Sequence, residues 1–172
     1  MDPLVVTLVL DAATTARLDA ERRALFPPGR TAVGAHLTLF HAVPGERTAQ
    51  VLADVAEQAR RPPFDVEVTG VVRFTRGVAY RVASSQLVGL HRELQRAWRA
   101  DLTAQDRRRL QPHVTVQNKT TPEDAAATAA RLSAAFAPSS ARAEALAVWR
   151  YVGGPWQPVE RFAFHPGTTR PG

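Results

Sequence analysis

Two short segments of this chain repeat one pattern, and this repeat constrains the fold more than any other feature. They are His36-Leu37-Thr38-Leu39 and His113-Val114-Thr115-Val116, one in each half of the sequence. Polar and apolar residues alternate in both, which is typical of a strand with one face against a core. Each histidine therefore shares a strand face with the threonine two residues later. The chain must place two such strands so that their polar faces stay clear of the core.

The elements around these segments also repeat. Apolar periodicity, with Pro and Gly as breaks, predicts strand, helix, His-bearing strand, helix and strand twice over. The predicted strands cover 4–10, 35–41, 64–74, 78–83, 112–118, 143–151 and 159–165. The predicted helices cover about 13–25, the segment from Pro44-Gly45 to Pro62-Pro63, 87–98 and 122–136, and 106–109 is expected as loop or helix end.

This order predicts an α+β fold made from a duplicated unit. We expect one bilobal domain over residues 1–172, with halves at about 4–75 and 77–165 and a loose tail over 166–172. Two mainly antiparallel sheets should flank a central cleft, with the helices outside. A pseudo-twofold axis would then bring the two histidine strands face to face across the cleft.

Composition narrows the class of protein only a little. Hydrophobic content of 45% and charged content of 22% are usual for a folded domain, and there is no cysteine for a disulfide or thiolate metal site. The net charge of +6, with Lys119 as the only lysine, weakly favours anionic partners. The apolar run Leu4–Leu10 has no basic residue before it, so a buried strand is favoured over a signal peptide and the cytoplasm is expected. We expect a monomer that binds no membrane.

The paired segments have the chemistry of phosphoryl transfer. One imidazole can take a proton from the attacking oxygen while the other protonates the leaving oxygen, and histidine titrates near neutral pH. The hydroxyls of Thr38 and Thr115 can donate hydrogen bonds to the non-bridging phosphate oxygens. This scheme predicts a phosphodiesterase with His36 and His113 as catalytic residues, acting on an RNA-type or cyclic nucleotide phosphate without a metal.

Other interpretations of the pattern are less favoured. A single His-x-Thr-x segment is more often structural, whereas two copies at matching places of a repeat are hard to explain as packing. A cleft that binds a nucleotide or an RNA end without turnover is the alternative, and intact pairs in both halves favour the enzyme. A structural protein with a coincidental pattern is remote. The sequence has no phosphate-binding or dinucleotide-binding glycine loop and no metal-ligand spacing, so no cofactor is expected.

Further residues are positional candidates for phosphate or substrate contacts. Strand alternation places Phe40 and Gln117 third on the two polar faces, and Lys119 follows closely. Arg81 lies opposite the apolar set of its strand, and Tyr151 is a candidate to stack on a base, as is Trp149. Among the other histidines, His91 is expected at the surface or edge of a helix, His41 toward the core side or strand end, and His165 in the tail.

The motifs resemble those of the 2H phosphoesterase superfamily, in its bacterial 2′-5′ RNA ligase-like or cyclic phosphodiesterase-like branch. The resemblance rests on residues 36–39, on Pro112-His113-Val114-Thr115-Val116-Gln117-Asn118-Lys119 and on the closing Tyr151-Val152-Gly153-Gly154-Pro155-Trp156. It implies a duplicated bilobal α+β fold with both His-Thr pairs in a central cleft. It also implies metal-free hydrolysis of 2′,3′-cyclic phosphates, or cleavage or joining of 2′-5′ linkages. The substrate, and which histidine is acid or base, stay open.

Overall fold

The computed structural model describes residues 1–29 and 33–166. Each predicted helix and strand is found, with ends moved by a few residues. The tail predicted after Pro166 lies outside the described residues. The strands are β1 Leu4–Leu10, β2 Leu37–Val43, β3 Phe64–Phe74, β4 Gly77–Ala83, β5 His113–Gln117, β6 Ser139–Arg150 and β7 Gln157–Ala163. The α-helices are α1 Ala12–Leu25, α2 Thr48–Gln58, α3 Ser85–Ala97 and α4 Pro122–Ala135, and a short 3-10 helix, Gly45–Arg47, precedes α2.

Side-chain caps fix where three of the helices begin. Asp11, Ser84 and Thr121 each accept a hydrogen bond from the backbone N–H three residues later, at 2.9, 3.2 and 3.1 Å. Such caps satisfy N–H groups that have no partner within the helix. The cap of α4 is followed by Pro122, whose fixed φ suits the first helical position. The chain between α3 and β5, including the predicted loop 106–109, contains turns but no helix.

The strands form one antiparallel sheet, in the order β2-β1-β6-β3-β4-β5, with β7 also paired to β6. The α+β fold class is therefore confirmed, but the two predicted sheets are hydrogen-bonded into one. The connection is β6, which has 12 residues. Its first part pairs with β3 from Ser139 to Ala143, and its second part pairs with β1 from Ala143 to Arg150. The pseudo-twofold relation between the halves stays a prediction.

The alternation of β2 is interrupted, and this corrects the prediction for Phe40. Leu37 and Leu39 face the core as expected, but the register with β1 shifts between Thr38 and Phe40, and Phe40 is also fully buried. Its ring stacks on His91, with centroids 4.5 Å apart, and meets Trp98 edge-on at 4.9 Å. Phe40 is therefore a core residue and does not lie on the polar face of the strand.

The same interruption decides the surroundings of two further histidines. His91, predicted at the surface, is only 4% exposed because it is covered by Phe40. His41 follows Phe40 and turns outward, where its Nδ1 lies 3.0 Å from the buried carboxylate of Asp106. His165 is exposed at the end of the described chain, and its Nδ1 lies 3.2 Å from the Pro166 carbonyl oxygen.

Candidate active site

The two motif histidines are held in the same way, although they lie in different halves of the chain. Nδ1 of His36 is 2.7 Å from the carbonyl oxygen of Gly34, and Nδ1 of His113 is 2.8 Å from the carbonyl oxygen of Gln111. A carbonyl oxygen only accepts, so each Nδ1 must carry the proton and donate it. Nε2 of each neutral ring is then an unprotonated nitrogen. The two rings are thus fixed in the tautomer that a proton-transfer group needs.

Helix α1 positions both histidine segments through one side chain. The guanidinium of Arg22 donates from Nε to the carbonyl oxygen of Val33 at 3.1 Å and from Nη1 to that of Thr115 at 2.7 Å. Its Cζ lies 3.9 Å from the ring centroid of Phe26, just past the end of the same helix. Arg22 therefore connects the approach to β2 with β5, which carry the two histidines.

Asp19, one turn earlier on α1, holds the same approach. One of its carboxylate oxygens accepts a hydrogen bond from the backbone N–H of Ala35, the residue before His36. The carboxylate also fills the space beside Gly34, where an added Cβ would come within 2.9 Å of it. A side chain at position 34 would displace the carboxylate of Asp19, which holds the N–H of Ala35.

The surroundings of His36 favour its neutral form. Burial lowers the pKa of His36 below its ordinary value of 6.5, although the hydrogen bond to Gly34 acts in the opposite direction. The positive charges of Arg22, His113 and His41 lower this pKa further. At neutral pH the imidazole of His36 is therefore ready to accept a proton.

A cavity of about 530 Å³ opens beside His36. Four of the predicted site residues line it, namely His36, Thr115, Lys119 and Tyr151. The cavity wall also includes residues that the sequence did not single out as site residues, among them Arg22, Phe26, Asn118 and Trp156. Its basic groups, Arg22 and Lys119, suit an anionic ligand.

Trp156 is a site residue that sequence reasoning missed. Its ring lies against His36, with centroids 4.6 Å apart and planes inclined by 54°. The turn that carries it contains Gly153 at φ +82, a left-handed conformation that favours glycine. The sequence signal for Trp156 was the Gly153-Gly154-Pro155 turn. A turn there brings the residue that follows it back toward the end of β6. Arg22 had a signal too, since it lies four residues after the buried Leu18 on the core face of α1.

The second histidine lines a separate cavity of about 430 Å³, which also includes Arg81, Arg109 and Phe74. Phe74 meets the ring of His113 edge-on, with centroids 5.5 Å apart. Thr115, two residues after His113, lines the first cavity. The polar face of β5 therefore contributes one residue to each cavity.

The remaining predicted residues are placed as follows. Thr38 is half-buried on β2, where it pairs with Thr7 of β1. Gln117 is 5% exposed, and its Nε2 donates to Oγ1 of Thr128 at 3.0 Å, so it lines neither cavity. Trp149 donates from Nε1 to Oγ1 of Thr7 at 2.9 Å and lines a smaller apolar cavity of about 220 Å³ behind His36.

Two observations concern metals and membranes. Among residues 1–29 and 33–166, no group of three or more His, Asp or Glu side chains is arranged to hold a metal ion. In that same part of the chain, no helix combines the length and the apolar character needed to cross a membrane.

Comparisons with known proteins agree with this architecture. The model of the 2′-5′ RNA ligase superfamily matches residues 10–155 of the chain. The crystal structure of TT0787 from Thermus thermophilus superposes with a TM-score of 0.66 at 20% identity, covering 97% of this chain and 100% of that one. E. coli LigT complexed with 3′-AMP superposes with a TM-score of 0.62 at 20% identity, covering 95% and 98%. No curated protein matches this chain by sequence.

The shared fold and the family model together define the class of protein. The family match covers most of the chain, including both histidine segments. This chain belongs to the 2′-5′ RNA ligase superfamily.

Proposed function

We propose that this chain is a metal-independent phosphodiesterase that acts on 2′,3′-cyclic phosphates or 2′-5′ linkages of RNA-type substrates. The observation that carries the proposal is the matched anchoring of two histidines. Nδ1 of His36 and Nδ1 of His113 each donate to a carbonyl oxygen two residues earlier, which leaves Nε2 of each ring for proton transfer. A histidine held for packing alone has no reason to be matched in this way by a second one in the other half of the chain.

The lowered pKa of His36 makes it the general base in this scheme. For a 2′,3′-cyclic phosphate, Nε2 of His36 takes a proton from water as the water oxygen attacks phosphorus. The bond from phosphorus to one ribose oxygen breaks, and protonated His113 gives its Nε2 proton to that departing oxygen. The product is a ribose phosphomonoester with one free hydroxyl. Each proton is assigned to a side chain, and no step calls for a metal.

The charge that builds on the phosphate oxygens needs donors nearby. The hydroxyls of Thr38 and Thr115 fill this role, and the cations that line the first cavity, Arg22 and Lys119, add positive charge. Trp156 packs against the His36 ring and helps to hold its orientation. With the 5′-hydroxyl of a second RNA end in place of water, the same groups can join the two RNA ends through a 2′-5′ linkage.

A substrate panel in the presence of EDTA tests the proposal. It contains 2′,3′-cyclic mononucleotides, an oligonucleotide with a cyclic-phosphate end, ADP-ribose cyclic phosphate and a 2′-5′ dinucleotide. We expect turnover of at least one substrate, and equal rates with and without chelator. The matched control is His165→Ala, because His165 is exposed and lines neither cavity.

Two outcomes would contradict the proposal. Activity that is lost on dialysis against EDTA and restored by Mg²⁺ or Mn²⁺ would exclude the metal-independent scheme. Tight binding of these nucleotides without turnover would instead favour a module that binds a nucleotide or an RNA end.

A further inference from the structure

The cavity beside His113 has a feature that the proposed reaction does not use. It is lined by two arginines, Arg81 of β4 and Arg109 of the loop before β5, together with the exposed aromatic ring of Phe74. A reaction on one phosphate group needs only the two histidines and the two motif threonines. Arg81, Arg109 and Phe74 would have a role in binding if the ligand extended past His113.

The position of Arg81 follows from strand pairing. Arg81 lies directly opposite His113 in the β4–β5 ladder, so the two side chains project from the same face. Cβ atoms of such pairs are about 4.5–5.5 Å apart. Arg81 therefore lies beside His113 and lines the same cavity, and it does not line the first cavity.

Arg109 extends from a loop that is fixed from two sides. The carboxylate of Asp106, 1% exposed, accepts hydrogen bonds from the backbone N–H groups of His41 and Ala42. Nε2 of Gln95 donates at 2.9 Å to the carbonyl oxygens of both Asp106 and Arg108. The backbone next to Arg109 is thus ordered before any ligand binds, which lowers the entropic cost of binding.

Neither arginine has a protein partner for its charge. In the described part of the chain, the guanidinium groups of Arg81 and Arg109 make no ion pair and no hydrogen bond to a side chain or carbonyl oxygen. Two unmatched guanidinium groups around one cavity attract an anion, and the planar donor fork of arginine fits phosphate oxygens.

Phe74 adds a surface for a nucleobase. Its side chain is 43% exposed, which is unusual for a phenylalanine, and its ring meets His113 edge-on. In proteins that bind single-stranded nucleic acid, aromatic rings serve as stacking platforms beside basic groups that bind the backbone. Phosphate-binding arginines and an exposed ring in one cavity match that combination.

We propose that this cavity is a second subsite, in which Arg81 and Arg109 bind the phosphodiester preceding the reacting nucleotide and Phe74 stacks on a base. The proposal rests on the proposed function and specifies its substrate class. The substrate is then an oligonucleotide end, with its reacting phosphate between the histidines and the adjoining nucleotide beside His113.

The test compares two substrates that differ only in length. kcat/KM is measured on a 2′,3′-cyclic mononucleotide and on a trinucleotide with the same cyclic-phosphate end, for wild type, Arg81→Ala, Arg109→Ala and Arg108→Ala. We expect Arg81→Ala and Arg109→Ala to lose about tenfold more on the trinucleotide than on the mononucleotide, the usual worth of a hydrogen bond to a charged group. Arg108→Ala is the matched control, since this exposed neighbour lines neither cavity, and we expect changes of less than about twofold.

A binding measurement separates failure of the subsite from failure of the proposed function. The probe is a fluorescent 2′-deoxy trinucleotide with a 3′-phosphate, which has no cyclic ester to open. We expect each arginine variant to bind it more weakly, and the salt dependence of log Kd to fall by roughly 0.7 per arginine removed. Equal losses on both substrates, or losses matched by Arg108→Ala, would overturn the subsite. Weaker probe binding by the two variants with no turnover by wild type would support the subsite and reject the proposed phosphodiesterase.

Discussion

Nη1 of Arg22 donates to the carbonyl oxygen of Thr115 at 2.7 Å, and this bond joins helix α1 to the strand of the second histidine. The same guanidinium holds Val33, three residues before the first histidine. One buried side chain thus sets the relative position of two segments far apart in the sequence. Arg22 is a positioning residue in this scheme, and its removal has consequences for both stability and acid–base chemistry.

Arg22→Met should therefore lower the free energy of unfolding by about 1–3 kcal/mol for each carbonyl oxygen left without a donor. It should also move the acid limb of the kcat/KM profile to higher pH, because the charge of Arg22 lowers the pKa of His36. Urea unfolding and a pH–rate profile measure the two effects. Arg23→Met, the exposed neighbour, is the control. An unchanged acid limb in folded Arg22→Met would show that Arg22 does not lower the pKa of His36.

The paired histidines should act as a unit. His36→Ala and His113→Ala should each lower turnover by a factor on the order of 10² to 10⁴, the usual worth of one general acid or base. The double variant should lose far less than the product of the two single losses, since residues of one mechanism are not additive. Circular dichroism and thermal melting check that the variants fold. Near wild-type turnover by folded His113→Ala would mean that the second His-Thr segment has a structural role only.

The threonines should contribute less than the histidines. Thr38→Ala and Thr115→Ala should each cost about 1.5–3 kcal/mol of transition-state stabilisation, as one hydrogen bond to a charged group does. Serine at the same positions keeps the hydroxyl and should restore most of the rate. Single-turnover rates separate this effect from substrate binding, and a serine variant as slow as the alanine variant would contradict the role of the hydroxyl.

Stability should fall in mild acid because of buried imidazoles. Burial lowers the pKa of His91, against the opposing effects of its hydrogen bond to Leu39 and of Asp106, and the pKa of His36 is lowered too. Below about pH 6.5 the unfolded chain binds more protons at these sites than the folded chain. Their contribution is fully present above about pH 6.5 and is lost as the pH falls toward the lowered folded-state pKa values.

Urea unfolding at pH 7.5 and 5.0 measures this loss. His91→Phe keeps a ring against Phe40 and should make the difference between the two pH values smaller. A variant with the full wild-type difference would show that His91 does not contribute to it.

Binding of an oligonucleotide should weaken as salt rises. The chain carries a net charge of +6, and phosphate contacts release condensed counterions, so log Kd should change linearly with the logarithm of the salt concentration. Fluorescence anisotropy between 50 and about 200 mM salt measures the slope. A flat dependence would point to a small-molecule substrate.

The sequence was informative where structure depends on local pattern. The order of the helices and strands, and the shared faces in residues 36–39 and 113–116, follow from alternation, periodicity and caps. The anchoring of the histidine rings was not predictable, because a sequence does not specify which carbonyl oxygen a side chain meets. Phe40 was misplaced since alternation assumes an uninterrupted strand, and a register shift in β2 breaks it.

Other features depend on residues distant in the sequence. Nothing local to β6 indicates that one end pairs with β3 and the other with β1, so two sheets were predicted in place of one. Arg81 was a candidate for substrate contact on the basis of its strand face alone. Arg109, which lines the same cavity, was not a candidate, because the loop that carries it is fixed by contacts to β2 and α3.

The pairing of β6 with β1 also governs when the cavity beside His36 can form during synthesis. β1 is translated before β2 and β6, between which it lies, so one of its edges has no partner until about residue 150 has left the ribosome. The first histidine segment therefore belongs to an incomplete sheet until β6 has been synthesised. A nascent chain arrested at the end of β5 would already contain both histidines and yet lack Tyr151 and Trp156, which line the cavity beside His36.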